Sequence, residues 1–126
     1  MEMQDLRQRL MEAFLEELHE CVGDMYRHLQ SLEQNPEQTV RDMLVNELYR
    51  AAHKIKGAAN AAEVCSIEQL CRQMQNILTT VRDGQRTIDS ELHSQFINVV
   101  SFLTESEARL RDGKTPASGA EIFDQR

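Results

Sequence analysis

Four stretches of this chain repeat apolar residues at every third or fourth position, and little in the sequence interrupts them. Only two prolines and five glycines occur in 126 residues, so long helices can run unbroken. In the first stretch, roughly 4–34, Leu10, Phe14, Leu18, Cys21, Met25, Leu29 and Leu32 fall within an arc of roughly 100°. The second, roughly 37–61, carries Leu44, Leu48, Ala51, Ile55, Ala58 and Ala62 along one stripe. The third carries Ile67, Leu70, Cys71, Met74, Leu78 and Val81, and the fourth, roughly 88–111, carries Leu92, Phe96, Val99, Leu103 and Leu110.

The breaks between stretches have physical causes. "NPEQ" (Asn35 to Gln38) ends the first helix, because the residue before proline avoids the helical region and proline suits a helix start. "AEVC" reads as a short connection, and Ser66 with Gln69 has the spacing of a capping box. Gly84 is a stop for the third helix, and Asp112-Gly113 closes the fourth. Residues 113–126 read as a tail or the start of a linker after a domain of residues 1–112. Four amphipathic helices with short connections predict an all-α, antiparallel four-helix bundle, up-down-up-down, with a short extra C-terminal segment. Met11, Leu15 and Val22 widen the first helix's apolar arc. Core packing against the tail is the expected reason, and a partner or dimer surface is the alternative.

Composition excludes several functions. A net charge of −7 opposes binding to nucleic acid, which needs a basic face to displace counterions, and binding to an anionic membrane surface. No apolar run approaches the roughly 20 residues that span a bilayer, and the N-terminus lacks a signal peptide's apolar stretch. Cys21, Cys65 and Cys71 are odd in number and lack Cys-x-x-Cys spacing, so they read as reduced thiols packed as small hydrophobes in a cytoplasmic protein. His19 and Cys21 point to different helix faces, His28 and His93 are scattered, and no HExxH occurs, so no metal site is expected. Neither GxxxxGK[ST] nor GxGxxG is present. The chain therefore offers no recognisable ATP site and no cofactor site. Glu16, Glu17 and Glu20 read as a solvated face.

One segment breaks the pattern. In "YRAAHKIKGAAN" (Tyr49 to Asn60) a histidine sits among alanines and a glycine follows one turn later. With Leu44 at 0° on a helical wheel, His53 falls near 180°, opposite the apolar stripe, with Tyr49, Arg50, Lys56, Gly57 and Asn60 around it. A mid-helix glycine costs about 0.5–1 kcal/mol relative to alanine. Residues i and i+4 stack on one face, so the missing Cβ at Gly57 clears space beside the imidazole. Lys54, Lys56 and Arg50 make the neighbourhood locally basic. Two readings follow from these residues: a surface histidine beside a glycine kept for close packing, or a nucleophile that receives a phosphoryl group. The second needs little local machinery, because phosphoryl transfer is mostly positioning and charge stabilisation.

"AAHKIKGAA" resembles the signature of histidine-containing phosphotransfer (HPt) domains, on Ala52, His53, Ile55, Lys56, Gly57 and Ala59. The resemblance extends over roughly residues 5–110, especially to the N-terminal phosphotransfer domain of chemotaxis-type (CheA) histidine kinases. "FLEELHECVGDMYRHLQSLE" resembles that domain's first helix and "QMQNIL" its third. The resemblance implies that His53 is phosphorylated on Nε2, that Lys56 positions or screens the phosphoryl group, and that Gly57 leaves room for a partner. In chemotaxis kinases a glutamate on the third helix accepts a hydrogen bond from the histidine Nδ1–H. The matching position here is Gln75, whose amide oxygen can accept the same bond without a negative charge. The imidazole should then be less basic and less activated.

The function so implied is a phosphohistidine carrier in a two-component phosphorelay. The partners would be a histidine kinase ATP-binding domain, in cis or in trans, and a response-regulator receiver. Tyr49, Arg50, Asn60 and Arg72 are the candidate docking residues. The chain would be a free-standing phosphotransfer protein or a fragment of a larger kinase. The alternative function is an HPt-like module that binds a receiver or kinase without chemistry.

Overall fold

The computed structural model describes residues 2–119 and 121–123; Met1, Ala120 and residues 124–126, the last part of the expected tail or linker start, lie outside the described residues. Four helices follow in order: α1 (Glu2–Glu33), α2 (Gln38–Ala61), α3 (Cys65–Arg82) and α4 (Ser90–Arg111). Neighbours pack as α1 on α2, α2 on α3 and α4 on α1, while α3 and α4 meet over a much shorter stretch. The expected all-α four-helix bundle is what forms.

The stripes fill the core, with Phe14, Leu18, Met25, Leu48, Ile55, Met74, Leu78, Phe96 and Leu103 almost fully enclosed. Leu10, Val81 and Leu110, nearer the helix ends, are half-buried. Leu15 and Val22 are buried and Met11 packs against the core, so the widened arc of α1 serves the interior. On α2 the buried face includes Val45, Ala52 and Ala59, whereas Ala58 and Ala62 are half-buried. The buried arc is thus centred roughly 40° from Leu44, toward α3. The reason is that α2 packs against both α1 and α3, which requires a wider face than one stripe. His53 accordingly lies beside the α2–α3 seam, not directly opposite the core.

Three helices end alike. After α2, the Val64 N–H donates to the Ala59 carbonyl (2.8 Å) and the Glu63 N–H to that of Asn60 (3.2 Å). Gln85 and Gly84 repeat this pair of bonds at the end of α3, and Lys114 and Gly113 at the end of α4. These are Schellman turns, which need positive φ at the residue after the cap. Gly84 and Gly113 supply it at 79° and 76°, and Glu63 adopts it without being glycine, at 61°. After α1, Asn35 takes φ 51° and donates to Leu32, but Pro36 has no N–H for the second bond.

Two local expectations are corrected. Ser66 does not cap α3: Val64 occupies the N-cap position, no side-chain cap bond forms, and Ser66 lies within the first turn. The Schellman turn decides this, because it places apolar Val64 against the core and starts the helix at Cys65. Cys65 is consequently exposed and does not pack as a small hydrophobe, unlike Cys21 and Cys71. A cap not foreseen, Asp89, accepts from the Leu92 N–H at 2.8 Å and starts α4.

The segment after α4, expected as a tail or linker start, packs back on the bundle. The Ala117 N–H donates to the Ser106 hydroxyl (3.1 Å), which is fully buried on α4. The Phe123 ring meets that of Phe96 edge to face, with centroids 6.0 Å apart. Residues 117–119 also border a small cavity with Ser66, Leu70 and Phe102, so the segment lies over the sparse α3–α4 seam. Among the described residues no helix is long and apolar enough to cross a membrane.

Candidate functional site

Helix α2 exposes His53, while its neighbours Ala52 and Ile55 are buried and hold the backbone in place. From α3, Gln75 reaches across the seam, and its amide nitrogen lies 3.2 Å from His53 Nδ1. Gln75 is only 5% exposed, although it is polar, because it flanks the stripe that α3 buries against α2. Its Oε1 is buried without a hydrogen-bond partner among the described residues. With Nδ1 tethered toward α3, Nε2 is the ring nitrogen left for an incoming molecule.

The space beside the ring is open. A Cβ built on Gly57 would meet nothing within 4 Å. Intramolecular packing therefore does not require glycine, so the close-packing reading of that residue is set aside. Lys56 is half-buried and lies on the α3 side, where its charge reaches Cys71; Lys54 lies on the α1 side, near Cys21. Neither lysine is ion-paired among the described residues. Two unpaired cations thus flank the histidine.

The candidate docking residues differ in their surroundings. Arg50 is exposed and pairs with Glu47 at 3.4 Å, and Arg72 pairs with Glu68 one turn back on α3. Such surface pairs contribute little and break readily. Asn60 is exposed two turns beyond His53. Tyr49 is half-buried one turn before His53, and the Arg82 guanidinium lies 4.6 Å from its ring centroid. The wheel of α2 could not reveal Arg82, because the contact depends on how α3 is rotated against it.

Other titratable groups serve the scaffold. The His93 Nε2–H donates to the Leu29 carbonyl at 2.8 Å, which ties α4 to α1. His19 Nδ1 lies 3.2 Å from Glu107, which also accepts from Arg111. Burial pushes the Cys71 thiol up to about 12, and burial together with Glu17 does the same to Cys21. A cleft of about 610 Å³ lies at the other end of the α2–α3 seam, lined by Arg41, Val45, Val81, Arg86 and Ile88 among others. It is not at His53.

The chain matches the model of the Hpt domain over residues 9–113. It is 27% identical over 105 residues to the chemotaxis protein CheA of Salmonella typhimurium, and 29% identical over 110 residues to the sensor histidine kinase CheAY of Helicobacter pylori. It is also 28% identical over 104 residues to the chemotaxis protein CheA of Treponema pallidum. These alignments cover 83%, 87% and 80% of this chain but only 15%, 13% and 12% of the relatives, so the chain spans a small part of their length. A match over nearly all of the bundle means that the chain belongs to the Hpt domain family, histidine phosphotransfer carriers of two-component signalling.

Proposed function

We propose that Nε2 of His53 is the atom that carries the phosphoryl group. The observation that supports this reading best is the pairing of an exposed imidazole, held at Nδ1 by buried Gln75, with open space over Gly57. In the loading step the Nε2 lone pair attacks the γ-phosphorus of ATP held by a kinase catalytic domain. The bond to the bridging oxygen breaks, and ADP leaves with its electron pair. In the unloading step a carboxylate oxygen of a receiver aspartate attacks the same phosphorus, and the N–P electron pair returns to Nε2.

Lys56 and Lys54 offset the charge of the phosphoryl oxygens from either side of the ring. Gly57 admits the partner's backbone. Tyr49, Arg50, Asn60 and Arg72 form the rim on which kinase and receiver dock in turn. By likeness to the chemotaxis proteins above, the donor is a histidine kinase catalytic domain, in cis or in trans, and the work is done in the cytoplasm.

Incubation with a cognate kinase domain and labelled ATP tests the reading. Acid-labile, base-stable label that disappears in His53→Gln is the expected result. One observation favours a module that binds without chemistry: the Gln75 nitrogen faces Nδ1, and a donor there places the ring proton on Nε2, where it blocks attack. Absence of label with several competent kinases would establish that alternative.

A further inference from the structure

We propose that the Gln75 amide turns its oxygen to Nδ1 while His53 is being loaded and turns its nitrogen back once the N–P bond has formed, so that its N–H donates to an unprotonated Nδ1 and prolongs the life of the phosphohistidine. This rests on the reading that His53 Nε2 is the acceptor.

The amide is free to reverse because its other end is not anchored. Its side-chain hydrogen bond among the described residues is the 3.2 Å contact with Nδ1, and Oε1 is buried without a partner. Either orientation leaves one buried polar end unpaired, at broadly similar cost. What Nδ1 presents therefore decides which end faces it. A carboxylate at the same place has no such choice, since it can only accept.

The two states of the ring present opposite faces. Attack needs the lone pair on Nε2, so at the moment of loading the proton must sit on Nδ1 and be accepted by Oε1. After the N–P bond forms, the ring can release the Nδ1 proton to water, and Nδ1 becomes an acceptor that matches the Gln75 N–H. In the structure the amide nitrogen faces the unphosphorylated ring, so loading requires the amide to turn its oxygen to Nδ1 first.

The leaving group links this geometry to lifetime. When the N–P bond breaks, its electron pair returns to Nε2. From a ring protonated at Nδ1 the departing species is neutral imidazole; from an unprotonated ring it is an imidazolide anion, a far poorer leaving group. A donor at Nδ1 favours the unprotonated ring and holds the phosphoryl group until water supplies a proton. A glutamate there would favour the protonated ring and speed both hydrolysis and transfer. The charged groups nearby are Lys54 and Lys56, the Arg50–Glu47 pair on α2, and the Arg72–Glu68 pair on α3. None of them hydrogen-bonds to Nδ1 among the described residues.

The test loads the ¹⁵N-histidine-labelled chain with phosphoramidate, which needs no kinase, and compares wild type with Gln75→Glu and Gln75→Leu at one mildly alkaline pH. Imidazole ¹⁵N shifts report the Nδ1 proton, and ³¹P spectra report the lifetime. The expected wild-type result is an unprotonated Nδ1 in the loaded chain and a protonated one in Gln75→Glu. The phosphohistidine lifetime should fall about tenfold in Gln75→Glu, since a carboxylate beside a titrating group shifts it by a unit or more. It should also fall, by less, in Gln75→Leu, which removes the donor without adding charge. A protonated Nδ1 in the loaded wild type, or equal lifetimes for wild type and Gln75→Leu, would overturn the proposal. A wild type that phosphoramidate cannot load would overturn it too, because the amide would then be locked on its nitrogen face. Loading by phosphoramidate but by no kinase would reject the carrier role alone, with both readouts still in hand.

Discussion

The Arg82 guanidinium lies 4.6 Å from the ring centroid of Tyr49, and Tyr49 stands one helical turn before His53. This cross-helix contact fixes an aromatic plate on the rim of the proposed docking face. Cation–π contacts at exposed sites contribute about 0.5–1 kcal/mol. Arg82→Ala should therefore lower unfolding stability by no more than that, while weakening receiver binding several-fold. Loading of His53 by phosphoramidate should not change. Calorimetric titration with a cognate receiver would check this, and unaltered affinity would remove Tyr49 from the docking face.

Gly57 offers a prediction in which stability and function move in opposite directions. A Cβ there meets nothing within 4 Å, so Gly57→Ala should raise helix stability by about 0.5–1 kcal/mol. The same methyl group would intrude on any partner that closes over His53, so kinase-dependent labelling and transfer to a receiver should slow. Urea denaturation and single-turnover kinetics on the same variant give both numbers. A stabilised variant with undiminished transfer would mean that the clearance serves no partner.

Glu63 tests the turn that sets the start of α3. It holds φ 61°, a conformation that costs a residue with a Cβ roughly 1–2 kcal/mol. Glycine adopts it freely but loses more entropy on folding. The balance predicts that Glu63→Gly stabilises the bundle by up to about 1 kcal/mol, with the two Schellman bonds retained. Denaturant melts of the pair decide it, and a clear loss of stability would show that the Glu63 side chain contributes more than its backbone costs.

The helices were legible because their stripes depend only on spacing along one chain, as Phe14, Leu18, Met25 and Leu29 show. His53 and Gly57 stood out for the same reason, since both violate local rules that the rest of α2 obeys. What escaped detection depends on how elements are rotated against each other. The tilt of α2's buried face toward α3, the Arg82–Tyr49 contact and the place of the C-terminal segment, over Phe102, are of this kind. Ser66 misled because a capping spacing competes with a C-terminal turn that has no glycine to announce it.

The cysteines separate by environment. Thiolate is the reactive form, and Cys21 and Cys71 are both raised to about 12, chiefly by burial. At mildly alkaline pH iodoacetamide should modify exposed Cys65 first and leave the other two intact until the chain unfolds. The same shifts bear on stability. The folded thiols keep their protons where the unfolded ones, at 9.0, lose them. Their contribution is complete below 9.0 and is lost as pH rises from there toward about 12. Mass spectrometry after timed alkylation, with alkaline melts of a Cys71→Ala comparison, checks both halves. Early modification of Cys71 in the folded chain would contradict the burial argument.

The C-terminal segment supplies the last test. A Cβ on Gly119 would come within 2.5 Å of the Phe102 ring, and Phe102 is itself buried and cannot swing away freely. Gly119→Ala must therefore shift backbone, at a cost of about 1–3 kcal/mol. The least expensive response is to release residues 114–119 and 121–123, because their hold on the bundle is local. Among the described residues it includes the Ala117–Ser106 bond, an Arg109 bond to the Thr115 carbonyl, the Phe123–Phe96 contact and the packing of Ala117 and Ile122 on the core. Hydrogen exchange at the Ala117 amide should accelerate, while the amides of α2 and α3 around His53 and Gln75 keep their protection. The α3–α4 seam would then be uncovered over Ser66, Leu70 and Phe102. Unchanged protection at Ala117 would mean that Phe102 can repack, and that the segment is held more firmly than these contacts imply.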